Sequence, residues 1–369
     1  MHYPRIDLLV GTRPEAIKLE PVATALAAAG RPPRLLFTGQ HPLDPADHGL
    51  SGFDRVTLDC PGKRNPLAHS DAVARSIAGA LADPPALLVV QGDTSSALGG
   101  AMAAFAAGVP IAHVEAGLRS YDPAMPWPEE ANRVTIDRLS TLLLAPTATS
   151  AANLRAEGVD GEIVITGNSG IDALFGVLER LGPAGPLASS ERLRLLVTCH
   201  RRENWGRPMR AVAAALNHLA NAGVATIRVV VHTNPVVAEA MRKALKPGPS
   251  IELLAPLDHQ AMITEMRRAD VVLSDSGGVQ EEAPALGVPL LVLREKTERP
   301  EGIASGNMIL AGTDRDRIIA LVMRLTDPKV RETMSRPSLP FGDGKSGPRI
   351  AAALADWVDR RHELPRKAG

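Results

Sequence analysis

Only two cysteines, Cys60 and Cys199, occur in 369 residues. That is too few for a disulfide framework or a thiolate metal cluster; it argues against zinc and fits a reducing, cytoplasmic compartment. Net charge is missing too. Lys plus Arg and Asp plus Glu each number 41, so no global field draws the chain to nucleic acid or an anionic membrane, and any anion site has to be local. Unbroken apolar runs of about 18 residues, the length that a membrane-spanning helix needs, do not occur. The opening MHYPRIDLLV holds only a brief apolar run with Asp7 inside it and does not read as a signal peptide. No GxGxxG follows the first apolar run either, so a wound fold here implies no nicotinamide or flavin.

What is present suffices for two cores. The chain is 45% hydrophobic and 22% charged, a globular balance at a two-domain length. Short apolar runs recur, each closed by polar or glycine-rich residues and followed by a helix-like stretch: RIDLLV, PRLLFTG, PALLVVQGD, VPIAHVEAG, STLLLAPT and EIVITGN. After the Pro/Gly-rich ERLGPAGPLASSER, which reads as a linker, the series restarts with LRLLVTCHRRE, TIRVVVHTNP, SIELLAP, ADVVLSDSGG and VPLLVLRE. Continuous apolar runs between helices are the pattern of parallel strands covered on both faces. The expected fold is α/β, with two doubly wound Rossmann-like domains facing across a cleft: residues 1–170, residues 171–349, and a C-terminal helix over about 350–369 packing back on the first. In such sheets ligands bind beyond the carboxyl ends of the strands. GDGKS at Gly342 to Ser346 imitates the end of a P-loop, but the first glycine of that motif would fall at Leu339 and no strand leads in, so it reads as a turn.

The strand ends carry the chemistry. GTRPEAIK sets Arg13 and Lys18 near a helix start, where cations oppose the helix dipole and suggest an anion between them. QGDTSS offers Asp93, which by itself reads as a helix N-cap. HVEAGLRS offers Glu115, and PWPEEANR offers Glu129 and Glu130 in a first helical turn, where glutamates commonly serve only the dipole. TCHRRE brings His200, able to titrate near neutral pH, beside Arg201 and Arg202; the plain alternative is a histidine held by backbone bonds. SDSGG presents amides and the Ser276 hydroxyl to an anion. Glu282 suits two ribose hydroxyls, while Arg294 and Arg299 are candidate phosphate partners or surface charges. Together these residues point to a nucleoside diphosphate held mainly by the second half.

GTRPEAIK, QGDTSS, HVEAGLR, PWPEEANR, TCHRRE, SDSGGVQEEAPALGVP and TERPE, in this order and over nearly the whole chain, resemble the non-hydrolysing UDP-N-acetylglucosamine 2-epimerases. The resemblance implies a two-domain fold like that of the GT-B glycosyltransferases, a homodimer, a UDP-sugar as the partner, and no metal or other cofactor. It implies that Arg13 and Lys18 lie near the phosphates and that Asp93, Glu115, Glu129 and His200 are catalytic. It further implies that Ser276, Gly277, Gly278, Glu282 and Arg299 hold UDP. Two places depart from the family. APLDHQAM puts Leu257 and Met262 where relatives wall the uracil with an aromatic side chain, and PLDPADHGL after TGQH replaces a hydrogen-bonding run of the allosteric activator site. Other readings are a hydrolysing 2-epimerase, an epimerase of a UDP-2,3-diacetamido sugar, a GT-B glycosyltransferase, and a catalytically silent nucleotide-sugar binder.

Overall fold

A computed structural model describes residues 3–185 and 190–363. The chain divides into two units, one from Met1–Ala173 with Phe341–Gly369 and the other Leu174–Pro340. The division falls inside the continuous helix Ser169–Leu181, ahead of the Pro/Gly-rich stretch. Residues 186–189 of that stretch, and 364–369 of the C-terminal segment, lie outside the described residues.

The first unit is built on seven strands: β1 (Ile6–Val10), β2 (Arg34–Phe37), β3 (Arg55–Thr57), β4 (Leu87–Gln91), β5 (Ile111–Val114), β6 (Leu142–Ala145) and β7 (Glu162–Ile165). Their order is β3-β2-β1-β4-β5-β6-β7, with every pairing parallel. The winding reverses between β1 and β4, the position where a doubly wound sheet opens a crevice for ligands. Alternate strand residues pack into opposite layers, as the two-residue period of a strand requires. Leu8, Val10, Leu87 and Val89 meet the helices Arg13–Ala28 and Ser346–Glu363, while Leu9, Leu88 and Val90 meet Pro66–Ala78 and Ser95–Ala106. The returning helix Ser346–Glu363 lays Ile350, Leu354, Trp357 and Val358 against that first layer. Its first amides, at Ser346 and Gly347, donate to the Asp172 carboxylate at 3.1 and 2.7 Å. The segment that imitates a phosphate loop thus already holds an anion, and that anion belongs to the protein.

The second unit repeats the plan with β8 (Leu193–Thr198), β9 (Ala225–Val230), β10 (Ile251–Leu254), β11 (Val271–Ser274), β12 (Leu290–Val292) and β13 (Met308–Leu310). The order is β10-β9-β8-β11-β12-β13, again parallel throughout. Both units are therefore doubly wound and Rossmann-like. No helix among the described residues is long and apolar enough to cross a membrane.

Candidate active site

In the first unit the register of β4 on β5 pairs Gln91 with Val114, which brings Asp93 and Glu115 out of neighbouring strands at nearly the same level. Asp93 does not cap the helix that follows. Thr94 does, accepting the Ala97 amide at 3.0 Å, so the Asp93 carboxylate is spared for an ion pair with Arg133, and Asn132 Nδ2 donates to its backbone carbonyl at 2.8 Å. Glu115 sits at φ 72°, a left-handed conformation that costs a non-glycine residue about 1–3 kcal/mol and recurs where geometry is set by function. Its Oε2 lies 2.6 Å from Lys18 Nζ and also accepts from Gln91 Nε2. Both Lys18 and Glu115 are buried, so in this arrangement Lys18 meets a carboxylate. Arg13 is exposed at the first residue of its helix.

Glu129 opens the helix Glu129–Leu139 and is half-buried. Its neighbour Glu130 does more than serve the dipole: it accepts the amides of Ser120 and Tyr121 at 3.0 and 2.9 Å and pairs with Arg133 at 3.1 Å. Arg133 is thereby held between Asp93 and Glu130, one turn into the same helix. The sequence reading passed over Glu15, which links two of these loops. Its Oε2 accepts the Gly11 and Thr12 amides at 2.8 and 2.5 Å, and its Oε1 accepts from Thr94 Oγ1 at 2.6 Å. Burial pushes its carboxyl up to about 7, against the hydrogen bonds from Thr94, Gly11 and Thr12.

In the second unit Thr198 of β8 faces Ser274 of β11, with their hydroxyls 2.6 Å apart. His200 and Ser276 each follow two residues later, on either side of the reversal point. The pivot between them is Asp275, fully buried, which accepts the amides of His200 at 2.9 Å and Arg201 at 2.8 Å and the Asn204 side chain at 2.8 Å. His200 is indeed held by backbone bonds, since its Nε2 also donates to the Val230 carbonyl at 3.2 Å. A carbonyl oxygen can only accept, so this bond uses a proton on Nε2. The His232 ring stands edge-on to it, with centroids 5.1 Å apart.

Ser276 is the N-cap of Gly277–Leu286, and its hydroxyl makes no capping bond. The Arg299 guanidinium lies over Gly277 so closely that a Cβ there would sit 3.0 Å from Nη1. Helix amides and a guanidinium therefore converge, as an oxyanion requires. Arg299 also pairs with buried Glu281 and Glu298, which lock its plane. Glu282 is bound to His259 Nε2 at 2.7 Å, a partner that the sequence reading did not single out. Leu257 and Met262, both half-buried, flank Asp258 at the start of His259–Arg268.

A family model described as UDP-N-acetylglucosamine 2-epimerase matches residues 29–355. The chain is 39% identical to the UDP-N-acetylglucosamine 2-epimerase of Salmonella typhimurium, with 96% of this chain and 99% of that protein covered. To the Bacillus subtilis enzyme of the same name it is 38% identical, with 98% and 97% covered. Among solved structures it is similar to UDP-GlcNAc 2-epimerase from Neisseria meningitidis bound to UDP-GlcNAc, with TM-score 0.88, 32% identity, and 95% and 100% covered. It is likewise similar to the Methanocaldococcus jannaschii UDP-GlcNAc 2-epimerase in complex with UDP-GlcNAc and UDP, with TM-score 0.85, 31% identity, and 95% and 99% covered.

Proposed function

Because the chain belongs to the UDP-N-acetylglucosamine 2-epimerase family, we propose that it interconverts UDP-N-acetylglucosamine and UDP-N-acetylmannosamine without net hydrolysis. The observation that carries this reading is the pair of carboxylates at the ends of β4 and β5, each set against a cation: Asp93 on Arg133 and Glu115 on Lys18. The UDP-GlcNAc-bound relatives support a UDP-sugar as the ligand.

The C2 hydrogen of the intact sugar is not next to a carbonyl, so something must first make it acidic. As the C1–O bond breaks, its electron pair leaves with UDP and C1 gains oxocarbenium character. The C2 proton then passes to a carboxylate, and the C2–H electron pair becomes the C1=C2 bond of 2-acetamidoglucal. On return, the double bond takes a proton at C2 from the opposite face while a UDP oxygen closes on C1. Two faces need two proton carriers, each contributing typically about 10²- to 10⁴-fold, and Asp93, Glu115 and Glu129 are the candidates. His200 and Arg13 would stabilise charge on the departing diphosphate. Ser276, Gly277, Gly278 and Arg299 would take its oxygens, Glu282 the ribose hydroxyls, and Leu257 and Met262 the uracil. The reading needs no cofactor.

We read the protein as cytoplasmic and homodimeric. Free Cys60 and Cys199 support the first. The exposed Leu67, Met102 and Phe105 on the mutually packed helices Pro66–Ala78 and Ser95–Ala106 support the second.

Proton NMR of the purified protein with UDP-N-acetylglucosamine in heavy water tests the reaction. Deuterium at C2 of the product with UDP still attached is the expected result. Free N-acetylmannosamine as the main product, transfer to an acceptor, or no exchange would overturn it.

A further inference from the structure

Arg294 follows β12 by two residues and is buried, so it is not a surface charge. Its guanidinium reaches two carboxylates: Nη1 stands 3.0 Å from Glu298 Oε2, and Nε 3.3 Å from Glu203 Oε1. Glu203 is partly open to solvent, whereas Glu298 is buried. Nη2, buried as well, has no hydrogen-bond partner among the described residues. Charge, rather than a full set of hydrogen bonds, therefore accounts for a cation at this position.

Glu298 is shared. The carboxylate that meets Arg294 also pairs with Arg299 Nη1, while Glu281 takes Arg299 Nε at 2.8 Å and Nη2 at 2.6 Å. Two buried carboxylates on one guanidinium hold its plane over Gly277 but more than cancel its charge, and a net negative cluster beside the first amides of Gly277–Leu286 would repel a diphosphate. With Arg294 included, two buried cations meet two buried anions. We propose that Arg294 is a positioning residue for nucleotide binding: it takes up the charge of Glu298, so that Arg299 can be fixed by two carboxylates and still serve an anion. The inference rests on the reading of Ser276, Gly277, Gly278 and Arg299 as the diphosphate site.

Arg294 acts from behind the site. Its side chain is 1% exposed, so it takes no ligand oxygen itself, and its effect passes through Glu298 to Arg299. A direct phosphate ligand would behave differently: neutralising Glu298 can make good a lost counter-charge but not a lost contact. A purely structural side chain would differ in another way, because its removal would cost a neutral nucleoside as much as a charged nucleotide.

The test is binding to the full chain of UDP, by calorimetry, and of uridine, by ligand-observed NMR. Arg294→Met should weaken UDP roughly tenfold or more, the scale on which a unit charge acts across a poorly screened site, and uridine by no more than a few-fold. Adding Glu298→Gln, which keeps an acceptor for Arg299 while removing the charge, should return UDP affinity to within a few-fold of wild type. Unchanged UDP affinity in Arg294→Met, or equal losses for UDP and uridine, would make Arg294 only structural. A double variant no better than the single one would make it a direct phosphate ligand, and each of these results overturns the proposal. If Arg294→Met does not fold, the double variant, whose buried charges balance, still decides: UDP affinity near wild type supports the proposal and a tenfold loss overturns it. Arg299→Met checks the site itself. Unchanged UDP affinity there would remove the diphosphate reading, whereas a loss there with none in Arg294→Met would remove only the role of Arg294.

Discussion

Lys18 and Glu115 stand 97 residues apart in sequence and 2.6 Å apart in space, a buried ion pair between the first helix and the end of β5. Removing one member of such a pair strands the other and costs about 3–5 kcal/mol. Lys18→Met should therefore destabilise the protein by about that much in chemical denaturation. The double variant Lys18→Met/Glu115→Gln should regain a large part of the loss, while simply additive losses would show that the two side chains are not energetically coupled.

Proton carriers act in the transition state and not in nucleotide binding. Asp93→Asn, Glu115→Gln and Glu129→Gln should each lower turnover by roughly two or more orders of magnitude, with UDP affinity within a few-fold. Turnover above one-tenth of wild type in any of them removes that residue from the set.

Glu282 should behave in the opposite way. Glu282→Ala is expected to weaken UDP binding by calorimetry, and His259→Ala to weaken it less, because His259 only orients the carboxylate it bonds. Unchanged UDP affinity in Glu282→Ala would remove the ribose assignment.

Glu15 should make stability depend on pH. Its folded carboxyl titrates near about 7 against 4.5 for an ordinary one. Between these values the native state keeps a proton that the unfolded chain has released, so stability is greater below about 4.5 and falls as pH rises through about 7. The loss is on the order of 3 kcal/mol. Denaturation midpoints across this window should show a flatter slope in Glu15→Gln, and a slope identical to wild type would place the titration elsewhere.

The segment after Gln40 and His41 bears on regulation. Asp44, its first acid, spends its side chain on the Ala46 amide at 2.9 Å to start the turn Pro45–His48, and Leu43 packs against the core. Little in this turn is left to hold a second nucleotide sugar, and an activator acts only through contacts that differ between states. Pure UDP-N-acetylmannosamine should be converted without a lag. A lag abolished by trace UDP-N-acetylglucosamine would show that other residues form an activator site.

The sheets were readable because buried parallel strands write themselves as apolar runs. β3 and β13 escaped because each has three residues at a sheet edge, too short to show a pattern. The strand-end acids were legible as types in places, but their partners were not. Nothing near Asp93 in sequence names Arg133, forty residues on, and Thr94 had to take the capping role before Asp93 was released from it. Asp275 was hidden for a related reason. It is embedded in a glycine-rich turn, and only the fold discloses how many donors surround it.

The helix Ser346–Glu363 completes the core of the first unit and is anchored through Asp172, yet it follows the whole second unit in the chain. During synthesis, then, a ribosome delivers the second unit before the first can cover its apolar layer. Domains ordinarily fold in the order in which they emerge; here the core of the N-terminal one is completed only by residues that follow the second. Chains cut short after Pro340 would lack Ile350, Leu354, Trp357 and Val358 and leave Leu8, Leu19 and Val22 less covered. Transiently exposed apolar layers of that kind are aggregation-prone, so the helix Ser346–Glu363 protects a surface laid down more than three hundred residues before it in the sequence.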